Sequence, residues 1–123
     1  MTEERRQARK IRWSDLETDH PMPLLDRQRI HGEKMTVARV RLEKGFKIDP
    51  HAHDEEQISL VVSGQIRFLV GAPPDQEEII ATANEALVLP PNVPHGAEAL
   101  EDSLAIDLFS PPAQQTGIDR AGD

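Results

Sequence analysis

His51-Ala52-His53, followed by Gln57 and, much further along, by Pro94-His95, constrains this chain more than any other feature. Three of the five histidines fall in these two short segments, and both segments read as β-structure. Residues two apart on a strand face the same way, with Cα atoms ~6.6 Å apart. Two imidazoles so placed can lean onto one metal ion at ~2.0–2.1 Å. The third histidine reaches that ion only if the fold returns a distant strand to the first. The spacing therefore asks for a site and for a barrel-like fold to close it.

The rest of the chain agrees with strands. Met35 to Leu42 alternates, with Thr36, Ala38, Val40 and Leu42 on one face and Val37, Arg39 and Arg41 on the other. Gln57 to Ser63 and Gln65 to Val70 read as strands joined at Ser63-Gly64. Glu77 to Ala81 and Ala86 to Leu89 flank a turn at Asn84-Glu85, and His95 to Leu100 and Ser103 to Phe109 form a last pair. Gly45, the Gly71-to-Asp75 loop and Pro90-Pro91-Asn92 punctuate the series, and Pro111 and Pro112 stop it. Lys10 to Leu16, with Ile11, Trp13 and Leu16, is expected to dock as a first strand. Many short strands with frequent turns predict an all-β sandwich or barrel. Residues 1–16 are expected to be a partly flexible segment able to pair with a second subunit. Residues 17–112 are expected to form the barrel and 113–123 a flexible tail.

Composition excludes several classes. A length of 123 residues suits one domain. The net charge of −8 argues against a nucleic-acid partner. Without cysteine, a metal must be held by nitrogen and oxygen. The charged N-terminus has no apolar stretch behind it, so no signal peptide is expected. The longest apolar run, Ile58 to Val62 interrupted only by Ser59, is far short of the ~20 residues that span a bilayer. A cytoplasmic protein without membrane partners is the expectation. Aromatics make up only 3%, a lean core for a monomer, which favours a homodimer.

The segment Gly45-x5-His51-x-His53-x3-Gln57-x6-Gly64 and the looser segment Asn84-x5-Pro90-x-Asn92-x2-His95 resemble the two motifs of the cupin superfamily. The resemblance covers about residues 35–110 and implies a single-domain antiparallel jelly-roll barrel of six to eight strands. It also implies a divalent metal held by His51, His53, His95 and an acidic or amide residue four positions after His53. Asn84 and Asn92 stand where the motif usually has Gly, a mild change because Asn tolerates positive φ. His53-x2-Glu56-Gln57, Pro90 to His95 and Asp107-Leu108-Phe109-Ser110-Pro111-Pro112 resemble the pectin-degradation subgroup that converts unsaturated uronates. In that subgroup an Asp and a Phe at these places support catalysis, which marks Asp107 and Phe109 as catalytic candidates. An Arg follows four residues after the Phe; Ala113 stands there in this chain. His20 and His31 lack such neighbours and read as surface or turn residues.

For the fourth ligand, Gln57 shares a strand face with Ser59 and Val61, while Ile58, Leu60 and Val62 share the other. The smaller, more polar face suits a ligand cavity, so Gln57 is preferred, with Glu55 as fallback and Glu56 directed to water. Three imidazoles and an amide leave the +2 charge uncancelled. That favours anionic ligands and Lewis-acid work and disfavours oxidation to +3. Zn, Ni, Mn, Fe and Co all suit such a donor set. The function expected is action on a small anionic or sugar-like molecule by lyase, isomerase or tautomerase chemistry. A dioxygenase and a non-catalytic metabolite- or sugar-binding module are the alternatives.

Overall fold

The computed structural model describes residues 7–113. These form nine strands: β1 (Leu25–His31), β2 (Thr36–Leu42), β3 (Lys47–His51), β4 (Glu56–Ser63), β5 (Gln65–Val70), β6 (Glu77–Thr82), β7 (Glu85–Leu89), β8 (His95–Ala99) and β9 (Ser103–Ser110). They make a five-stranded sheet in the order β1-β2-β9-β4-β7 and a four-stranded sheet in the order β3-β8-β5-β6. Every pairing is antiparallel. This is the expected all-β jelly roll. Among the described residues no helix is long and apolar enough to cross a membrane.

The two sheets pack their inner faces together around Leu25, Val40, Phe46, Ile66, Phe68 and Phe109, each at most 5% exposed. On β4 the expected parity holds. Gln57, Ser59 and Val61 are buried, whereas Leu60 and Val62 remain 36% and 44% exposed. Four positive-φ turn positions are filled by residues that tolerate that conformation. Gly45 and Gly64 lie at φ +95° and +91°, and Asn84 and Asn92 at +69° and +64°, so asparagine here does the conformational work of glycine.

Three features depart from the sequence expectation. Among the described residues there are nine strands rather than six to eight, and β1 is one that the apolar pattern does not mark. Its inward face carries Arg27, which breaks the apolar alternation, yet Arg27 is only 1% exposed. Its guanidinium donates to both carboxylate oxygens of Asp19, at 3.0 and 2.7 Å, and holds that carboxyl below its ordinary range. Burial of the cation is tolerable only with such pairing. Second, Lys10 to Leu16 is not a strand in this chain: Trp13–Asp15 is a 3-10 turn. The Gln28 amide donates to the carbonyls of Trp13 and Leu16, and the Arg39 guanidinium lies 5.8 Å from the Trp13 ring, so the turn rests on β1 and β2. Third, Ala113, expected to begin the tail, is 3% exposed and donates its N–H to Thr36 Oγ1 at 3.0 Å. The remainder of that expected tail lies outside the described residues.

Candidate metal centre

His51 is the last residue of β3 and is paired with His95, the first residue of β8. A register shift between Ile48 and His51, beside Pro50, turns the end of β3 toward the cavity. Gly96 makes the close approach possible, since a Cβ there would lie 2.8 Å from the Ile48 carbonyl oxygen and 2.9 Å from the Pro50 nitrogen. His53 is beyond the end of β3. The loop, not strand pleating, therefore sets its direction, and the expectation that both histidines sit on one strand face is corrected. The rings still converge, with centroids 4.7 Å apart for His51 and His95, 4.9 Å for His53 and His95, and 5.7 Å for His51 and His53. Their ligand atoms all lie within 4.8 Å of one another, close enough to hold one metal ion.

Each ring is oriented by a backbone carbonyl. Nδ1 of His51 bonds the Asp49 carbonyl at 3.3 Å, that of His53 the Glu55 carbonyl at 3.0 Å, and that of His95 the Val93 carbonyl at 3.0 Å. A carbonyl only accepts, so Nδ1 carries the proton and Nε2 keeps its lone pair. This outer support is what metal-binding histidines require. The Nε2 of His95 is buried with no hydrogen-bond partner, an orphan acceptor that a cation would satisfy. Burial, with further repulsion from His51 and His53, pushes His95 down to about 4 against a backbone bond that opposes it. The ring is thus neutral and ligand-ready at neutral pH.

Gln57 stands beside this triad. Its amide nitrogen donates to Ser59 Oγ at 3.0 Å, which turns Oε1 toward His53 Nε2, 3.1 Å away. With His53 protonated at Nδ1 these are two acceptors face to face, an arrangement that a shared cation resolves. Glu55 is placed differently: its carboxylate lies 3.5 Å from Nδ1 of His53, on the far side of the ring from Nε2. Glu56 is exposed. His20 is exposed and bonded to Asp26, and His31 bonds Thr36, both away from the triad.

Asp107 lines the same cavity as His51, Gln57, Ser59 and His95. It is bonded to Ser59, but burial outweighs that bond and raises its carboxyl to about 6. Ser59, which the sequence reading used only as a marker of strand parity, proves to link Gln57 with Asp107. The buried Phe109 ring lies 5.8 Å from that of His53 and backs it.

The sequence profile of the cupin domain matches residues 38–109, more than half of the chain. The chain belongs to the cupin family. Among solved structures, this cupin is similar to KdgF from Halomonas, at 28% identity and a TM-score of 0.79 over 89% of this chain and 98% of that one. It is also similar to an RmlC-like cupin from Shewanella frigidimarina, at 27% identity and a TM-score of 0.77 over 89% and 95%. The likeness to KdgF bears out the resemblance to the pectin-degradation subgroup. A Bacillus subtilis protein named H2HPP isomerase is 41% identical over 71 residues, which is 56% of this cupin and 29% of that relative. The chain therefore spans less than a third of that curated relative's length.

Proposed function

We propose that this cupin holds one divalent metal ion through Nε2 of His51, His53 and His95 and through Oε1 of Gln57. We further propose that it catalyses isomerase or tautomerase chemistry on a small anionic molecule. One observation carries the reading. Three carbonyl-oriented imidazoles converge, and two of them, His51 and His95, line a cavity that Asp107 also lines. A bound divalent ion supplies Lewis-acid polarisation of a carbonyl or enol oxygen. The chain supplies the proton carrier. A carboxyl raised to about 6 can both take a proton from carbon and return it near neutral pH. The Ser59 hydroxyl holds Asp107 in place, and Phe109 fixes the His53 ring. The neutral Gln57 leaves the ion's charge available to an anionic group. The name of the Bacillus relative, an isomerase, supports this class over redox chemistry.

Proton exchange tests it. In deuterated buffer the zinc-loaded protein should wash out the protons beside the carbonyl of a suitable 2-oxo acid, followed by NMR. Asp107→Asn should slow that exchange ~10²–10⁴-fold. Binding without exchange, unchanged in Asp107→Asn, would favour a binding module, and substrate-dependent oxygen uptake by the iron-loaded protein would favour a dioxygenase. With Ala113 in place of a guanidinium, unsaturated uronates are expected to be poor substrates.

The same reading includes a homodimer. The Trp13 turn covers the β1–β2 part of the larger sheet's outer face. Leu60, Val62 and Val88 remain 36%, 44% and 57% exposed on β4 and β7, an apolar strip suited to a second copy. Light scattering should give twice the chain mass at micromolar concentration; a monomer would refute this.

A further inference from the structure

The cavity beside the histidines is small, about 60 Å³, and its polarity is graded along the barrel. On the larger sheet, Gln57 is aligned with Phe109, Ser59 with Asp107, and Val61 with Ala105. Ala105 is in turn aligned with Val40. On the smaller sheet, His95 is aligned with Val70, Ala97 with Phe68, and Ala99 with Ile66. Among the residues that line the cavity, both sheets therefore run from polar groups at the histidine end to an apolar level two steps away; Arg27 on β1, in register with Val40, is buried at that level but paired with Asp19 and does not line the cavity. Ala97 on β8 and Ala105 on β9 both line the cavity, and their short side chains leave space within it. Its remaining wall is mainly aliphatic and aromatic. Among the described residues no Lys or Arg lines it, and Asp107 is its one carboxyl group.

We infer that this cavity takes a ligand with a compact oxygen-bearing head at the histidines and an apolar tail seated against Ala97, Ala105, Val40 and Phe68. A polyhydroxylated sugar acid does not suit it. The inference deepens the proposed function and rests on it for the position of the head. A carboxylate placed at the deep end would meet no cation among the residues that line the cavity. Hydroxyls placed there would meet no partner, because Gln57, Ser59, Asp107 and the imidazoles are grouped at the other end. A hydrocarbon tail loses nothing there and leaves water.

Straight-chain hydroxamates from acetohydroxamate to hexanohydroxamate, titrated into the zinc-loaded protein by calorimetry, test the tail. Affinity should climb roughly three- to fourfold per methylene and then level off when the chamber is full. Ala105→Val and Ala97→Val should flatten the series while acetohydroxamate affinity and zinc content stay within twofold. A flat series in the unsubstituted protein, or galacturonate binding more tightly than hexanohydroxamate, would overturn the inference. Xenon on the metal-free protein separates the two readings. Shifts of the Ala97 and Ala105 methyl resonances that saturate with xenon support the apolar chamber even if the protein took up no zinc, a result that would sink the metal reading alone. Silence of those methyls would overturn the chamber whatever the zinc content.

Discussion

Replacing Asp107 with Asn should make the metal-free protein more stable while removing its proposed proton carrier. Burial raises this carboxyl from 3.8 to about 6. Below its ordinary value the folded and unfolded chains both carry the proton, and the group is neutral in each. As pH rises toward about 6 the unfolded chain releases the proton while the folded chain keeps it, so stability falls. Above about 6 the folded chain holds a desolvated carboxylate at a cost of up to about 3 kcal/mol, the gap between the two values taken at ~1.36 kcal/mol per tenfold. Asp107 is half-buried and lines the cavity, where water would soften the penalty, so about 1–3 kcal/mol is expected. Asn keeps the shape and does not titrate. His95 has the opposite dependence. Its value falls from 6.5 to about 4, so its contribution is present above 6.5 and lost as pH drops toward 4. It is common to both proteins and cancels in their difference. Urea unfolding of both proteins in chelator should therefore give nearly equal stabilities at about pH 3, below the ordinary value of the carboxyl. By pH 7 Asp107→Asn should be the more stable by about 1–3 kcal/mol. A difference that stays flat across the range would refute the claim that this carboxyl is desolvated.

Gln57→Glu should bind zinc at least as tightly as the original by competition with a chelator, since a carboxylate adds charge to a neutral donor set; weaker binding would remove position 57 from the ligands. Gly96→Ala should push β3 from β8 at the Ile48 carbonyl and Pro50, separate His51 from His95, and weaken metal binding by roughly 10–100-fold, the range for lost support of a ligand. Gly64→Ala should instead act on stability alone. At φ +91° its new methyl would meet the Ser103 hydroxyl and the Asp102 carbonyl, for a loss of roughly 2 kcal/mol or more in denaturant with zinc content unchanged. Leu60→Glu should shift light scattering toward monomer.

Much of this molecule is legible in its sequence because a pleated strand with one buried face imposes a period of two. That period located β2, β4, β5 and β9 to within a residue or so and correctly assigned Gln57 and Ser59 to the interior. β1 is illegible for a physical reason. Arg27 sits at an inward position and is neutralised by Asp19, a partner that only the tertiary structure supplies. The histidine triad was readable by spacing, but the means of its convergence was not. His53 is directed by a loop and His51 by a register shift, neither of which follows strand alternation. Nothing in the sequence revealed that Ser59 connects Gln57 to Asp107, because the link joins neighbouring strands. The shortage of aromatic residues was read as a thin core that called for a second subunit. In the structure, small side chains on β8 and β9, Ala97 and Ala105, also line the cavity.

The proposed function depends first on a metal ion at the three histidines. Elemental analysis of the purified protein after incubation with zinc and removal of the excess should give one ion per chain. His51→Ala, His53→Ala and His95→Ala should each lose it while remaining folded by circular dichroism. Zinc-free unsubstituted protein, or full occupancy in the substituted proteins, would contradict the account.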